Sequence, residues 1–326
     1  MPSPGPPTQE PLPRDHHGSS SPQAQRQKER LIATSKETLQ ILPNLLSQLR
    51  RTNDARTSSK LTLETLPRLD PNHCPSYPWP AVIRVINEDT LNAAIQLWER
   101  AATSSRDPRL GNPYPAIVNF ANRHSPGGGW LNGAIAQEEA LCYRSSLALS
   151  LEGAGYPLAR DEALYSPYVL VVRDAMAQGH YLLHPEIPAA QLPVVSAMTV
   201  AAIYQPDVRS FVVGSQVGGG SSTSISQPRE KLVFARDRDR NYTKDKMRLV
   251  LRMAASNGHR LLVLGALGCG VFQNPPEDVA HCWLEVLRED EFTGNWWREI
   301  CFAVYDGRGG GSNYDVFRRI LDGREV

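Results

Sequence analysis

Ala116-Ile117-Val118-Asn119-Phe120-Ala121-Asn122-Arg123-His124-Ser125-Pro126-Gly127-Gly128-Gly129, followed after a short spacer by Gln137-Glu138-Glu139, decides how the rest of the chain is read. The apolar run Ala116 to Phe120 predicts a short buried strand. The chain leaves it at Ala121-Asn122 and enters a loop with Pro126 and three glycines, which put no side chain between the backbone and a neighbour and permit positive φ. Gln137 and two carboxylates then open an amphipathic helix, continued by Leu141, Arg144-Ser145, Leu147-Ala148 and Leu151. A strand, a bare loop and an acid-bearing helix start suit an anionic or polyhydroxylated ligand held by amides while a carboxylate moves a proton. The ordinary alternative is a flexible linker before a solvated helix start. The two halves occurring together after an apolar strand weigh against it.

The wider chain limits the possibilities. Its 326 residues form one large domain or two small ones and bury a substantial core. Net charge is +1 with both signs interspersed, so no global field argues for nucleic acid or membrane. The five cysteines (Cys74, Cys142, Cys269, Cys282 and Cys301) are scattered without a CxxC pair, which argues against a disulfide framework or a zinc site and for a reducing compartment. No long apolar run predicts a membrane span, and the first residues do not read as a signal peptide, so cytoplasm or nucleus is expected.

In order, residues 1–28 are rich in Pro, Ser, Gln and charge and are expected to be disordered. Residues 29–80 read as a helical extension and linker, with Leu31, Leu39, Leu42 and Leu45-Leu46 in helical spacing, Pro43 limiting the first piece, and 51–59 polar. Residues 81–326 read as the main domain. There Ala81 to Ile86 predicts a strand, and Asn87-Glu88-Asp89-Thr90 caps a helix. Strands are also expected at Tyr168 to Val172, Pro193 to Val200 and Ile300 to Val304. Gly214 to Ser226 reads as an insertion. Asn241 to Asn257 predicts a helix whose Lys244, Lys246, Arg248 and Arg252 lie on a solvated outer face. The strand Leu261 to Leu264 runs into Gly265-Ala266-Leu267-Gly268-Cys269-Gly270-Val271-Phe272, and Asn274-Pro275-Pro276-Glu277 opens another helix. Strand, glycine-spaced turn and helix start form a second anion cradle. A flexible loop at Gly307 to Gly311 and a closing helix from Tyr314 to Leu321 complete the chain. Strands alternating with amphipathic helices indicate an α/β/α sandwich with ligand loops at one sheet edge.

The arrangement Asn122…Gly127-Gly128-Gly129…Gln137-Glu138-Glu139 resembles the signature of microbial-type poly(ADP-ribose) glycohydrolases, whose catalytic domain is a macrodomain. The glycine-spaced turn at 265–272 is similar to the second phosphate loop of macrodomains, with Leu267 and Gln273 departing from the usual aromatic and small residue. The resemblance spans roughly residues 30–322 and includes the N-terminal helix carrying Arg30, Glu37 and Thr38. It implies a three-layer sandwich with a mixed central sheet and an N-terminal helical extension. It implies hydrolysis of ribose–ribose glycosidic bonds in poly(ADP-ribose), or action on ADP-ribosylated proteins, with ADP-ribose as product.

By that resemblance Glu139 is the general acid/base, Glu138 bonds the distal ribose and Asn122 helps position it. Gly127, Gly128 and Gly129 approach the diphosphate and distal ribose, while Gly268, Cys269, Gly270 and Val271 supply amides to the phosphates. Phe272 either packs on ribose or forms the base of its loop. Asn87 and Glu88 are either adenine contacts or plain helix caps. Gln137 is a bridging or capping residue, His124 structural or on the surface, and Cys269 a packed thiol. Neighbouring helical residues diverge by about a hundred degrees, so the two acids are expected to hold separate roles. No cofactor, metal, membrane or direct nucleic-acid contact is expected, and a monomer is. A non-catalytic ADP-ribose reader and a hydrolase of another ADP-ribosyl linkage, on protein or nucleic acid, stay open as alternatives.

Overall fold

The computed structural model describes residues 21–49, 53–103, 111–213, 229–306 and 313–326. The expected insertion at 214–226, the loop at 307–311, part of the 51–59 linker and the first twenty residues of the terminal segment lie outside them.

Seven strands form one mixed sheet. They are β1 (Ser59–Leu61), β2 (Ile83–Ile86), β3 (Ala116–Phe120), β4 (Ala163–Leu170), β5 (Val194–Val200), β8 (Leu261–Leu264) and β9 (Glu299–Ala303), in the order β1-β4-β5-β3-β8-β9-β2. The five strands from β5 to β2 run parallel, and β4 and β1 continue antiparallel at one edge. A separate antiparallel hairpin, β6 (Val208–Val213) with β7 (Arg229–Phe234), follows β5.

Period-two alternation divides each central strand between two cores. Ala116, Val118, Met198, Val200, Leu262 and Leu264 face helices α5 (Asp237–Ser256), α6 (Pro276–Leu287) and α7 (Asn313–Leu321). Ile117, Ala197, Leu261 and Val263 face α2 (Thr90–Thr103), α3 (Gln137–Arg144), α4 (Leu147–Leu151) and the start of α1 (Pro22–Ser47). Both sheet faces are covered, which is why these strands read as continuous apolar runs. The result is the expected three-layer α/β/α sandwich. Because β2, β3, β5, β8 and β9 are parallel, the segments after them emerge at one sheet edge, where ligands of open α/β sheets bind.

Four local readings change. α1 begins at Pro22, inside the segment expected to be disordered, with Ser21 Oγ accepting the Ala24 amide. It also runs past Pro43 to Ser47. The single helix expected from Gln137 to Leu151 is two, because Ser145 is extended at its junction. There Ser145 Oγ donates to the Leu141 carbonyl and accepts the Leu147 amide, and Ser146 exchanges bonds with Leu170. Serine oxygens compete with the helix for its own backbone groups. Finally, the basic residues of α5 are not solvated. Lys246 is buried and donates to the Glu162 carbonyl, Arg252 is buried against Glu291, and Arg248 and Lys244 reach Glu289.

α1 is tied to the site-bearing half of the molecule. The buried Arg173 donates to Glu37 Oε2 at 2.6 Å and to the His180 carbonyl at 2.7 Å, while Thr38 Oγ1 donates to the Tyr143 carbonyl at 3.0 Å. Leu42 and Leu46, both fully buried, pack with Leu170 and Val172. Leu42→Ala is therefore expected to lower stability by about 2–5 kcal/mol, whereas the exposed Gln40→Ala changes it by less than ~0.5 kcal/mol. Urea denaturation of the two variants measures this, and equal small effects would show that α1 is not part of the folded unit.

Candidate active site

β3 ends at the middle of the sheet edge, and its loop folds back over the start of α3. Gln137, the first residue of α3, fixes that junction. Its Oε1 accepts the Phe120 amide at 2.9 Å, and its Nε2 donates to the Val118 carbonyl at 2.7 Å and to Thr90 Oγ1 at 3.1 Å. It is the bridge expected from the sequence, not a proton carrier.

The two acids that follow both turn into the glycine loop. Glu138 Oε2 accepts the Asn122 amide at 2.7 Å, and Oε1 accepts from Asn119 Nδ2 at 3.3 Å. Glu139 Oε1 accepts the Gly129 amide at 2.9 Å, whereas its Oε2 bonds to no described residue. A Cβ on Gly128 would collide with the Glu139 carboxylate and meet Glu138 Oε2 at 3.1 Å. Although the acids leave the helix in different directions, both carboxylates thus converge beside one bare Cα. Gly128 has φ +58°, so both its conformation and its lack of a side chain are required.

The glycine amides face inward. Gly127 and Gly129 bond to Glu138 and Glu139 respectively, and Gly128 to the Ser125 carbonyl. They were expected to approach a diphosphate. In the structure the amides of Gly127 and Gly129 hold the acids, and the sides of the three glycines that lack a side chain lie against Trp130, Cys142, Ala134 and the two carboxylates. Asn122 caps the same loop, its Oδ1 accepting the His124 and Ser125 amides. His124 is exposed.

Burial pushes the Glu138 carboxyl up to about 8. The Asn122 amide and Asn119 pull the other way, and neighbouring Glu139 adds to the rise. Beneath the loop lies the buried Cys142 thiol, with burial and both glutamates pushing it well above the usual thiol range.

The second loop, after β8, is also ordered by its own side chains. Asn274, buried at the base, donates from Nδ2 to the carbonyls of Ile203, Gly268 and Phe272. Gly268 (φ +73°) lies so close to Asn274 and Ala202 that a Cβ would clash with both. The Cys269 amide is taken by the Ala266 carbonyl, and its buried thiol, raised by desolvation, donates to the Leu267 carbonyl. The cradle therefore omits Cys269. The amides of Gly270, Val271 and Phe272, by contrast, bond to no described residue, and Gly270 and Val271 are exposed. Phe272 is half-buried and packs edge-on against Tyr204, ring centroids 5.3 Å apart. Asn87 exchanges bonds with the backbone of Asp306, tying the loop after β2 to the segment after β9, and Glu88 Oε1 accepts the Asp89 amide and Asn92 Nδ2. The α2 cap itself is Asp89, whose Oδ1 accepts the Leu91 and Asn92 amides. Among the described residues no group of three or more His, Cys, Asp or Glu side chains converges as a metal site.

Three contributors escaped the sequence reading. Asn119, fully buried in β3, links Glu138 to Thr199 Oγ1, and Thr90 anchors Gln137. An asparagine inside an apolar strand needs a buried partner, which was the available signal. Tyr156 carries a buried hydroxyl without a partner, and burial together with Glu138 raises its proton affinity.

The family model for the microbial-type PARG catalytic domain matches residues 21–174. Among solved structures, poly(ADP-ribose) glycohydrolase from Thermomonospora curvata is similar at 26% identity, covering 89% of this chain and 99% of its own, with a TM-score of 0.62. The same enzyme bound to the inhibitor ADP-HPD gives equal figures. The Deinococcus radiodurans glycohydrolase in complex with ADP-ribose is 27% identical, covers 84% of this chain and 98% of its own, and has a TM-score of 0.59. No curated protein matches the sequence.

Because Glu138 holds its proton more tightly folded than unfolded, the fold binds the extra proton between about pH 4.5 and 8. Stability should fall as pH rises through that window, by up to ~1.4 kcal/mol per unit, and level off above it. Glu138→Gln should lack this dependence. Chemical denaturation of both proteins at several pH values checks it, and parallel curves would refute the assignment.

Proposed function

We propose that this chain, a member of the microbial-type poly(ADP-ribose) glycohydrolase family, hydrolyses the ribose–ribose glycosidic bond of poly(ADP-ribose) and releases ADP-ribose, with Glu139 as general acid/base. The observation that carries the assignment of roles is the different engagement of the two acids. Both oxygens of Glu138 are held by Asn122 and Asn119, whereas Glu139 commits only Oε1, to the Gly129 amide beside Gly128.

Cleavage of such a bond needs a proton on the leaving oxygen and stabilisation of an oxocarbenium-like anomeric carbon. In this reading Glu139 gives its proton to the departing ribose hydroxyl and then takes one from the attacking water. Its Oε1, fixed by the Gly129 amide, keeps the carboxylate turned toward the bond. Glu138 accepts from the distal ribose hydroxyls, whose donation lowers the cost of its ionised form, and Asn122 fixes the loop against which that ribose rests. The open amides of Gly270, Val271 and Phe272 take the diphosphate. Phe272, held edge-on against Tyr204, packs on a ribose in this reading. The α1 helix serves as an extension to a catalytic domain whose sheet takes in β1, and the chain acts as a monomer on polymer or ADP-ribosylated protein.

Glu139→Gln should reduce release of ADP-ribose from automodified polymer by at least about a thousandfold while leaving its affinity for ADP-ribose within about twofold. Chromatography of the products, run beside mono-ADP-ribosylated substrates, and calorimetry provide the two readouts. Wild-type hydrolysis by the variant would overturn the role of Glu139, and hydrolysis of the mono-ADP-ribosyl linkage alone would overturn the choice of substrate. Gly128→Ala, which presses a methyl group onto both carboxylates, should abolish turnover as well.

A further inference from the structure

The β6–β7 hairpin leaves the body of the protein from the site itself. Gln205, three residues before β6, donates its amide to the Phe272 carbonyl at 2.9 Å, and Tyr204 beside it packs on the Phe272 ring. The base of β7 is anchored by the buried Phe234, whose amide donates to Asp278 Oδ2 near the start of α6. Six residues separate Gln205 from Phe211, so even fully extended chain puts Phe211 within about 22 Å of the second loop.

One face of this hairpin combines cations with an aromatic ring. Arg209 and Phe211 alternate on β6, and the Arg209 guanidinium lies over the Phe211 ring, 5.3 Å from its centroid. Lys231 stands opposite Phe211 in the strand register. Arg209 and Phe211 are exposed, with Phe211 48% accessible. The other cations at the hairpin base are neutralised: Arg236 pairs with Asp207 and Arg238 lies against Asp239. Arg209 and Lys231 pair with no acid among the described residues. In a chain of net charge +1 they form a local feature, not part of a general basic surface.

We propose that Arg209, Phe211 and Lys231 form a polymer subsite that holds an ADP-ribose unit adjoining the one in the pocket. This rests on the glycohydrolase reading above. Each unit of such a chain brings a diphosphate and an adenine, and an exposed guanidinium over an aromatic ring beside a lysine offers partners for both. Continuity with the Tyr204–Phe272 edge of the second loop is what singles out this polymer from nucleic acid, which has the same charge and bases but no reason to approach the pocket.

The test uses the full chain carrying Glu139→Gln, so that substrate survives, with and without Arg209→Ser, Phe211→Ser and Lys231→Ser together. Affinity for long poly(ADP-ribose) should drop about tenfold and its dependence on salt should flatten, while affinity for ADP-ribose stays within twofold. Unchanged polymer affinity, or an equal loss for ADP-ribose, overturns the subsite. So does a polymer affinity no greater than that for ADP-ribose before the substitutions. Single-stranded DNA of matched charge is titrated in parallel, and an equal loss there would mark a nucleic-acid surface instead. Hydrolysis by the otherwise unaltered chain is assayed separately, so that an absence of glycohydrolase activity is read independently of the hairpin. All three side chains lie on the hairpin, and an unchanged melting temperature confirms that the variants fold.

Discussion

The bond from the Asn122 amide to Glu138 is the constraint around which the site closes. A buried carboxyl is costly in proportion to its lack of partners, and Glu138 is only 3% exposed. Its oxygens are met by a backbone amide from the loop and a side-chain amide from β3, so helix, loop and strand must be in register before the cost is offset. One residue earlier, Gln137 ties the start of α3 to β3 and to Thr90 of α2. The loop can approach this closely only because Gly128 has no side chain; any other residue would fill the space of the carboxylates. Burial enforces the geometry and, by the same means, raises the proton affinity of Glu138.

That geometry depends on packing well away from the loop. α3 ends at Arg144, a buried guanidinium bonded to Asp89, to Asn92 and to the Arg173 carbonyl. Arg173 in turn holds Glu37 on α1, and Thr38 of α1 bonds the Tyr143 carbonyl near the end of α3. Both ends of α3 are therefore fixed, its start by Gln137 and its end by this charged relay. Lys28 on α1 lies against Gly133, where a side chain would collide with it. The N-terminal helix thus supports the glycine loop from outside, and the family match, which begins at residue 21, includes it.

Much of this was legible because the relevant signals are local. Two-sided burial makes Ala116–Phe120 and Leu261–Leu264 continuous apolar runs, and three consecutive glycines mark a close approach whatever the surroundings. Gln137 was readable as a bridge by its place at a helix start. What stayed hidden depends on partners distant in sequence. Lys246 looks like an outer-face lysine until the Glu162 carbonyl arrives from the segment before β4. Ser145 breaks its helix by pairing with Val171, which no local periodicity records. The β6–β7 hairpin lacked the short turn that identifies such pairs, since fifteen positions, rich in glycine and serine, separate its strands in the sequence. Asn119 gave a faint signal, but its partners lie on α3 and β5.

The two glycine loops differ in what their amides already hold. In the first, the amides of Gly127 and Gly129 are already spent on carboxylates, so this loop brings negative charge toward the ligand. A diphosphate placed against it would find those two amides occupied and would be repelled by whichever acid is ionised. In the second, the amides of Gly270, Val271 and Phe272 remain open, and no acidic side chain is among the residues that order the turn. The proposed placement follows this contrast: phosphates at the loop after β8, sugar hydroxyls at the loop after β3. A glycine-rich loop after a strand is thus insufficient to mark a phosphate site; what its amides already hold decides which part of a ligand it receives.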